Sequence, residues 1–126
     1  MNDLLGLRRA WGAYPGDGSG MVDCCLLALE VHHRLGHHNY LPEIAWIFEQ
    51  YTEETLPPNF IARWLLQHGK RLEGSEPHAL VLLPSQGVGA VGTVLDDGTM
   101  LFIGSGGSVI RTAVPDNSGW YFRLNK

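Results

Sequence analysis

Apolar residues recur at helical spacing as far as about Gly74, and beyond it they gather into short β-branched runs separated by glycine. The first periodic stretch is Cys24-Cys25-Leu26-Leu27-Ala28-Leu29-Glu30-Val31, with Asp23 standing where an N-cap stands. Leu26, Leu27, Leu29 and Val31 cover most of a helical circumference, so this helix should be largely buried. Gly36 suits the position just past its end. A second helix is predicted with Pro42 at its first position, carrying Ile44, Trp46, Ile47, Phe48 and Tyr51 until Leu56-Pro57-Pro58 breaks it. Asn59 caps a third, Phe60 to Leu66, which Gly69 closes. The aromatic spacing on helices two and three fits core and helix–sheet packing.

From His78 the pattern predicts strands over about His78–Leu83, Gly89–Leu95, Thr99–Ile103, Ser108–Val114 and Trp120–Leu124. Asp96-Asp97-Gly98 is a tight-turn signal, and Gly104-Ser105-Gly106-Gly107 is the next turn. Consecutive strands without intervening helices imply an antiparallel meander. The class is α+β: N-terminal helices packed on a C-terminal antiparallel sheet of about five strands, with residues 1–126 forming one domain.

Composition narrows the function classes. A chain that is 44% hydrophobic can build a core, and a formal charge of −4 argues against a nucleic-acid partner, which needs clustered cations. No apolar run approaches the roughly 20 residues of a membrane helix, and no membrane partner is expected. The opening residues lack the pattern of a secretory signal, so a cytoplasmic location is the default expectation. Cys24 and Cys25 are adjacent, which rules out a disulfide scaffold.

The candidate chemistry centres on Cys24. It follows the glycine-rich loop Tyr14-Pro15-Gly16-Asp17-Gly18-Ser19-Gly20 at the predicted first turn of a buried helix. Amide N–H groups and the helix dipole there favour a thiolate nucleophile. The plainer reading is that both cysteines are small apolar residues of a core helix. His32, His33, His37 and His38 form a second cluster, with His33 and His37 at a spacing that can share a metal. Gly36 interrupts that face, so solvated histidines suiting a helix C-terminus are the better expectation, with no metal or other cofactor.

The segment Gly20-Met21-Val22-Asp23-Cys24-Cys25-Leu26-Leu27, followed by Arg34-Leu35-Gly36 and Leu41-Pro42, resembles the nucleophile segment of the NlpC-type cell-wall peptidases, a papain-like family. Glu76-Pro77-His78-Ala79-Leu80-Val81-Leu82-Leu83 is similar to the family's Glu-Pro-Gly-Asp-Val-Val-Leu. Ala90-Val91-Gly92-Thr93-Val94-Leu95-Asp96-Asp97-Gly98 is similar to His-Val-Gly-Ile-Tyr-Leu-Gly-Asp-Gly, and Gly106-Gly107-Ser108-Val109-Ile110 to the glycine turn and strand that follow. The likeness runs from about residue 11 to 124. It implies a papain-like fold with Cys24 as nucleophile, and its phage-tail-associated branch implies a virion setting.

The pattern breaks at the general base. The family's histidine, on the strand facing the cysteine, is matched by Ala90, and no histidine follows His78. Alanine cannot exchange a proton, and a nucleophile without its base loses most of its rate. Leu26 replaces the usual glycine, which implies a more filled site. His78, opening the preceding strand, is the candidate substitute base. Two functions follow. One is a catalytically degenerate domain acting as a structural component among other protein subunits, in a phage tail tip or baseplate. The alternative is an active peptidoglycan endopeptidase with Cys24 as nucleophile, cutting the wall peptide beside a diamino acid. An unrelated small-molecule binding domain is a third.

Overall fold

The computed structural model describes residues 1–83, 90–114 and 119–126. Its elements run in the order of a 3-10 turn at Asn2–Leu4, β1 (Arg8–Arg9), β2 (Met21–Val22), α1 (Cys24–Arg34), α2 (Leu41–Gln50), α3 (Phe60–His68), β3 (Gly69–Leu72), β4 (Leu80–Leu82), β5 (Val91–Val94), β6 (Thr99–Ile103), β7 (Val109–Ala113) and β8 (Trp120–Leu124). The α+β class and the helices-then-sheet layout stand as the sequence predicts.

The sheet differs from the expected meander. It has six strands in the order β3-β8-β4-β5-β6-β7, with every pairing antiparallel. Strands β4 to β7 form the predicted meander, but β8 returns to lie between β4 and β3. β3 went unpredicted because it follows α3 without a break and shows two exposed cations, Lys70 and Arg71, instead of an apolar run. Gly69 allows its close approach: a Cβ there would lie 2.2 Å from the Arg123 carbonyl oxygen. Gly89, the predicted start of one strand, lies outside the described residues.

Period-two alternation divides the sheet into two faces. Leu80, Leu82, Val91, Leu101, Ile103, Phe122 and Leu124 point to the helices. Ala79, Val81, Leu83, Ala90, Val94, Met100 and Tyr121 form a separate cluster on the opposite face. Leu72 from one edge strand and Val114, just beyond the other, pack on this same cluster. The cluster therefore runs across the sheet from one edge to the other.

α1 lies across β5 and β6, buried nearly all round as its sequence predicts. Thr93 on β5 donates its hydroxyl to the Ala28 carbonyl oxygen at 3.0 Å, which satisfies a buried side chain and fixes the height of the helix on the sheet. Asp23 is the N-cap, accepting from Cys25 N–H at 2.9 Å and Leu26 N–H at 3.4 Å. Gly36 adopts φ +101 just past the helix, as expected of a glycine there. Asn59 precedes α3 but takes φ +61 and makes no side-chain cap bond, so it serves that helix through left-handed backbone alone.

Candidate functional site

The backbone around Cys24 is built from two distant segments. Arg8 and Arg9 pair in parallel with Met21 and Val22. Ala10 N–H then donates to the Val22 carbonyl at 3.0 Å, and Asp23 N–H to the Ala13 carbonyl at 2.7 Å. Between these bonds Gly12, at φ +76, offers its own N–H to Asp23 Oδ2 at 3.4 Å. The loop that follows is pinned by Asp17, whose carboxylate accepts from Tyr14 N–H and from Ser19 N–H and Oγ–H. Gly16, Gly18 and Gly20 all have positive φ, and a Cβ at any of them would meet nothing within 4 Å. These glycines serve the turns of the loop rather than a tight approach to a ligand.

Cys24 opens α1 as predicted, with its side chain 8% exposed. It lines a cavity of about 20 Å³ together with Arg9, Trp11, Asp23, Cys25, Phe48, Leu56 and Ile61. That volume is close to the minimum for one water molecule. Trp11 packs on Phe48 with ring centroids 4.8 Å apart and donates its indole N–H to the Tyr51 carbonyl at 3.2 Å, fixing the aromatic wall. A larger cleft of about 430 Å³ lies between Arg71, Glu73, Trp120 and Tyr121, but it shares no lining residue with the cysteine cavity.

Electrostatics at Cys24 oppose a thiolate. Burial, and then the neighbouring Asp23 carboxylate, raise the thiol pKa; the Arg9 guanidinium, which donates toward the sulfur, pulls it down without reversing the outcome. Arg9 is itself held by an ion pair with Glu53. Cys25, more deeply buried, is raised well above an ordinary thiol. Burial also raises the pKa of Asp23, against the three backbone N–H groups that favour its charge. Desolvation thus opposes the activated thiolate that a helix start would favour.

The position matched to the family's histidine and the candidate substitute base both lie elsewhere. Ala90 precedes β5 and packs in the cluster on the sheet face turned away from α1. Val91 and Thr93 are the residues of that stretch that meet α1, so position 90 lacks the facing geometry the resemblance gives it. His78 bonds His37 and Asp96 beyond the C-terminal end of α1. With 11 residues, that helix puts about 16 Å between its ends. Among the described residues, no imidazole lines the Cys24 cavity. His78 is also no strand residue: it holds φ +72 ahead of β4.

The histidine cluster is less solvated than expected. His32 is 2% exposed and sits against Tyr40, whereas His33 is exposed. Among the described residues, no group of three or more His, Cys, Asp or Glu is arranged to hold a metal ion. Sequence reasoning missed Arg9, the polar neighbour of the thiol. Only the register of β1 on β2 brings it there, and the Arg8-Arg9 pair carries no local sign of that pairing.

No family model, curated protein or solved structure matches the chain. Among the described residues, no helix is long and apolar enough to cross a membrane.

Proposed function

We propose that the chain is a catalytically degenerate papain-like domain of the NlpC type, serving as a structural or assembly component with a bacteriophage tail tip or baseplate as its setting. The observation that carries this reading is a buried thiol at a helix start with no imidazole in its cavity. The order of elements supports it: a cysteine-headed helix lies against an antiparallel sheet in the sequence order the resemblance implies. The outward-turned Ala90 is a departure from that family, and it removes the site of the base in both residue type and direction.

Peptidase chemistry needs a group that takes the thiol proton and returns it to the leaving amine. Arg9 is the nearest cation, and a guanidinium stays protonated throughout, so it can neutralise charge but cannot shuttle a proton. A cavity of about 20 Å³ holds about one water molecule and is no groove for a peptide segment. The active endopeptidase reading therefore lacks both its base and its groove.

Two measurements test the reading. Cys24→Ala should leave assembly into the parent particle unchanged, and peptidoglycan cleavage that depends on Cys24 would sink the proposal. An iodoacetamide time course at pH 7 should modify Cys24 at least tenfold more slowly in native than in urea-unfolded protein, since burial both shields the thiol and keeps it protonated. Native labelling faster than that of the unfolded chain would return the protein to the enzymes.

A further inference from the structure

The six histidines take no part in the cysteine cavity, but three of them meet in one stack. His32 and His37 lie face to face, with centroids 4.5 Å apart and planes 13° from parallel. His37 meets His78 edge-on, and His37 Nε2 lies 2.6 Å from His78 Nδ1. His78 Nε2 is in turn 2.6 Å from Asp96 Oδ1. At the other end, His32 Nε2 lies 3.2 Å from the Lys126 carbonyl oxygen. The stack ties the last turn of α1 to the 36–39 turn, the approach to β4, the β5–β6 turn and the chain just past β8.

The acceptors fix where the protons sit. Carbonyl and carboxylate oxygens only accept, so His32 and His78 each carry their proton on Nε2. Neutral His78 then has a bare Nδ1, and His37 Nε2–H donates to it. His32 Nδ1 is left bare and buried, with no hydrogen-bond partner among the described residues. One added proton can be held on His78 beside Asp96 if His37 shifts its own proton to Nδ1. A second cannot: it sets two N–H donors head to head at His37 and His78. A second proton on His32, at Nδ1, would place a donor where the described residues offer no acceptor.

Neighbouring groups do not relieve this. His33 Nδ1 donates to the His37 carbonyl, and His38 is paired with Glu43. His68 stacks on Trp64 and donates to its carbonyl, while Tyr40 presents its ring to His32, His38 and His68. Asp97, beside Asp96, is bound to Arg111. Lys126 brings an ammonium as well as the main-chain oxygen bonded to His32. Asp96 is the one side-chain carboxylate bonded to the stack among the described residues.

We propose that the His32–His37–His78–Asp96 stack is a proton-operated clasp, closed while buried His32 is neutral and opened when acid adds a proton at its unpartnered Nδ1. Opening removes the imidazole ties of the 36–39 turn and leaves the sheet ladder and the bond from Asn125 N–H to the His68 carbonyl at 2.8 Å in place, because neither runs through an imidazole. Burial and the surrounding imidazoles push the His32 pKa down to about 4, which agrees with a ring held neutral by its site.

Urea unfolding of the full chain between pH 7.5 and 4.5 tests this, comparing wild type with His32→Phe, which keeps a stacking ring without a proton site, and with His33→Gln. Wild type should lose stability on acidification, its unfolding constant rising up to about tenfold more per pH unit than that of His32→Phe below pH 6.5. His33→Gln should follow wild type. Equal slopes for wild type and His32→Phe overturn the clasp, as does a slope lost equally in His33→Gln. Imidazole 15N NMR of the wild type keeps the test open if a variant does not fold. His32 should stay neutral with its proton on Nε2 down to about pH 5, and titration near 6.5 defeats the proposal. Zinc stabilisation abolished by His78→Gln would also defeat it, making the cluster a metal site.

Discussion

The two ends of α1 contain the two halves of a familiar catalytic pair and keep them apart. At the first turn, Cys24 has a capping carboxylate and a guanidinium beside it but no imidazole. At the last turn, imidazoles crowd together with no thiol in reach. Nucleophile and base work as a unit only within hydrogen-bond distance, and a helix three turns long separates them. The contrast teaches that the supply of catalytic residue types says little until the register of each is known.

Pushing a histidine back into position 90 tests that contrast most severely. Ala90→His should cost about 3 kcal/mol in urea unfolding, because it drives a polar ring into the packed cluster of Val81, Val94 and Met100. It should yield no hydrolase activity; a gain of Cys24-dependent cleavage would mean that the ring reaches the helix side. Asp23→Ala comes next, at about 2 kcal/mol by the same measurement, since a buried cap with three backbone donors is lost.

The ends should also respond to acid with opposite sign. The lowered pKa of His32 means that its contribution is complete above 6.5 and is lost as pH falls toward about 4, at up to ~1.4 kcal/mol per unit. The raised pKa of Asp23 means the reverse: its contribution is complete below 3.8 and is lost as pH rises through its folded value. Asp23→Asn should therefore make the acid loss steeper, and a shallower profile would reverse the assignment. A smaller effect is expected for Cys24→Ala, about 1 kcal/mol in thermal or urea unfolding, because the sulfur already borders a small void. The smallest is His38→Gln, within about 0.5 kcal/mol, since its bond to Glu43 is exposed to solvent.

What the sequence revealed was mostly local. The Asp23 cap, the Gly36 stop, the hairpin at Asp96–Gly98 and the all-round burial of α1 each follow from a few consecutive residues. Contacts between distant segments were hidden. Nothing near Gly69 announces a strand, because its place is set by Arg123 and Leu124 more than fifty residues later. Pro42, read as the first residue of its helix, is the second, a shift that leaves its backbone N–H equally unneeded. At the site, Cys24 was legible from its cap and loop. The company it keeps was not, because Arg9 arrives through β1 and the His78 ring swings to the far end through a left-handed backbone.

The place of β8 between β3 and β4 has a consequence for synthesis. The ribosome delivers Trp120–Leu124 after every other strand, yet that strand fills an interior slot of the sheet. Until it emerges, β3 has no partner and one side of β4 is open, so the nascent chain exposes two unsatisfied backbone edges and the aromatic core beneath them. Chains stalled or clipped before residue 120 should be sticky intermediates that depend on chaperones, and completion of the sheet waits for β8.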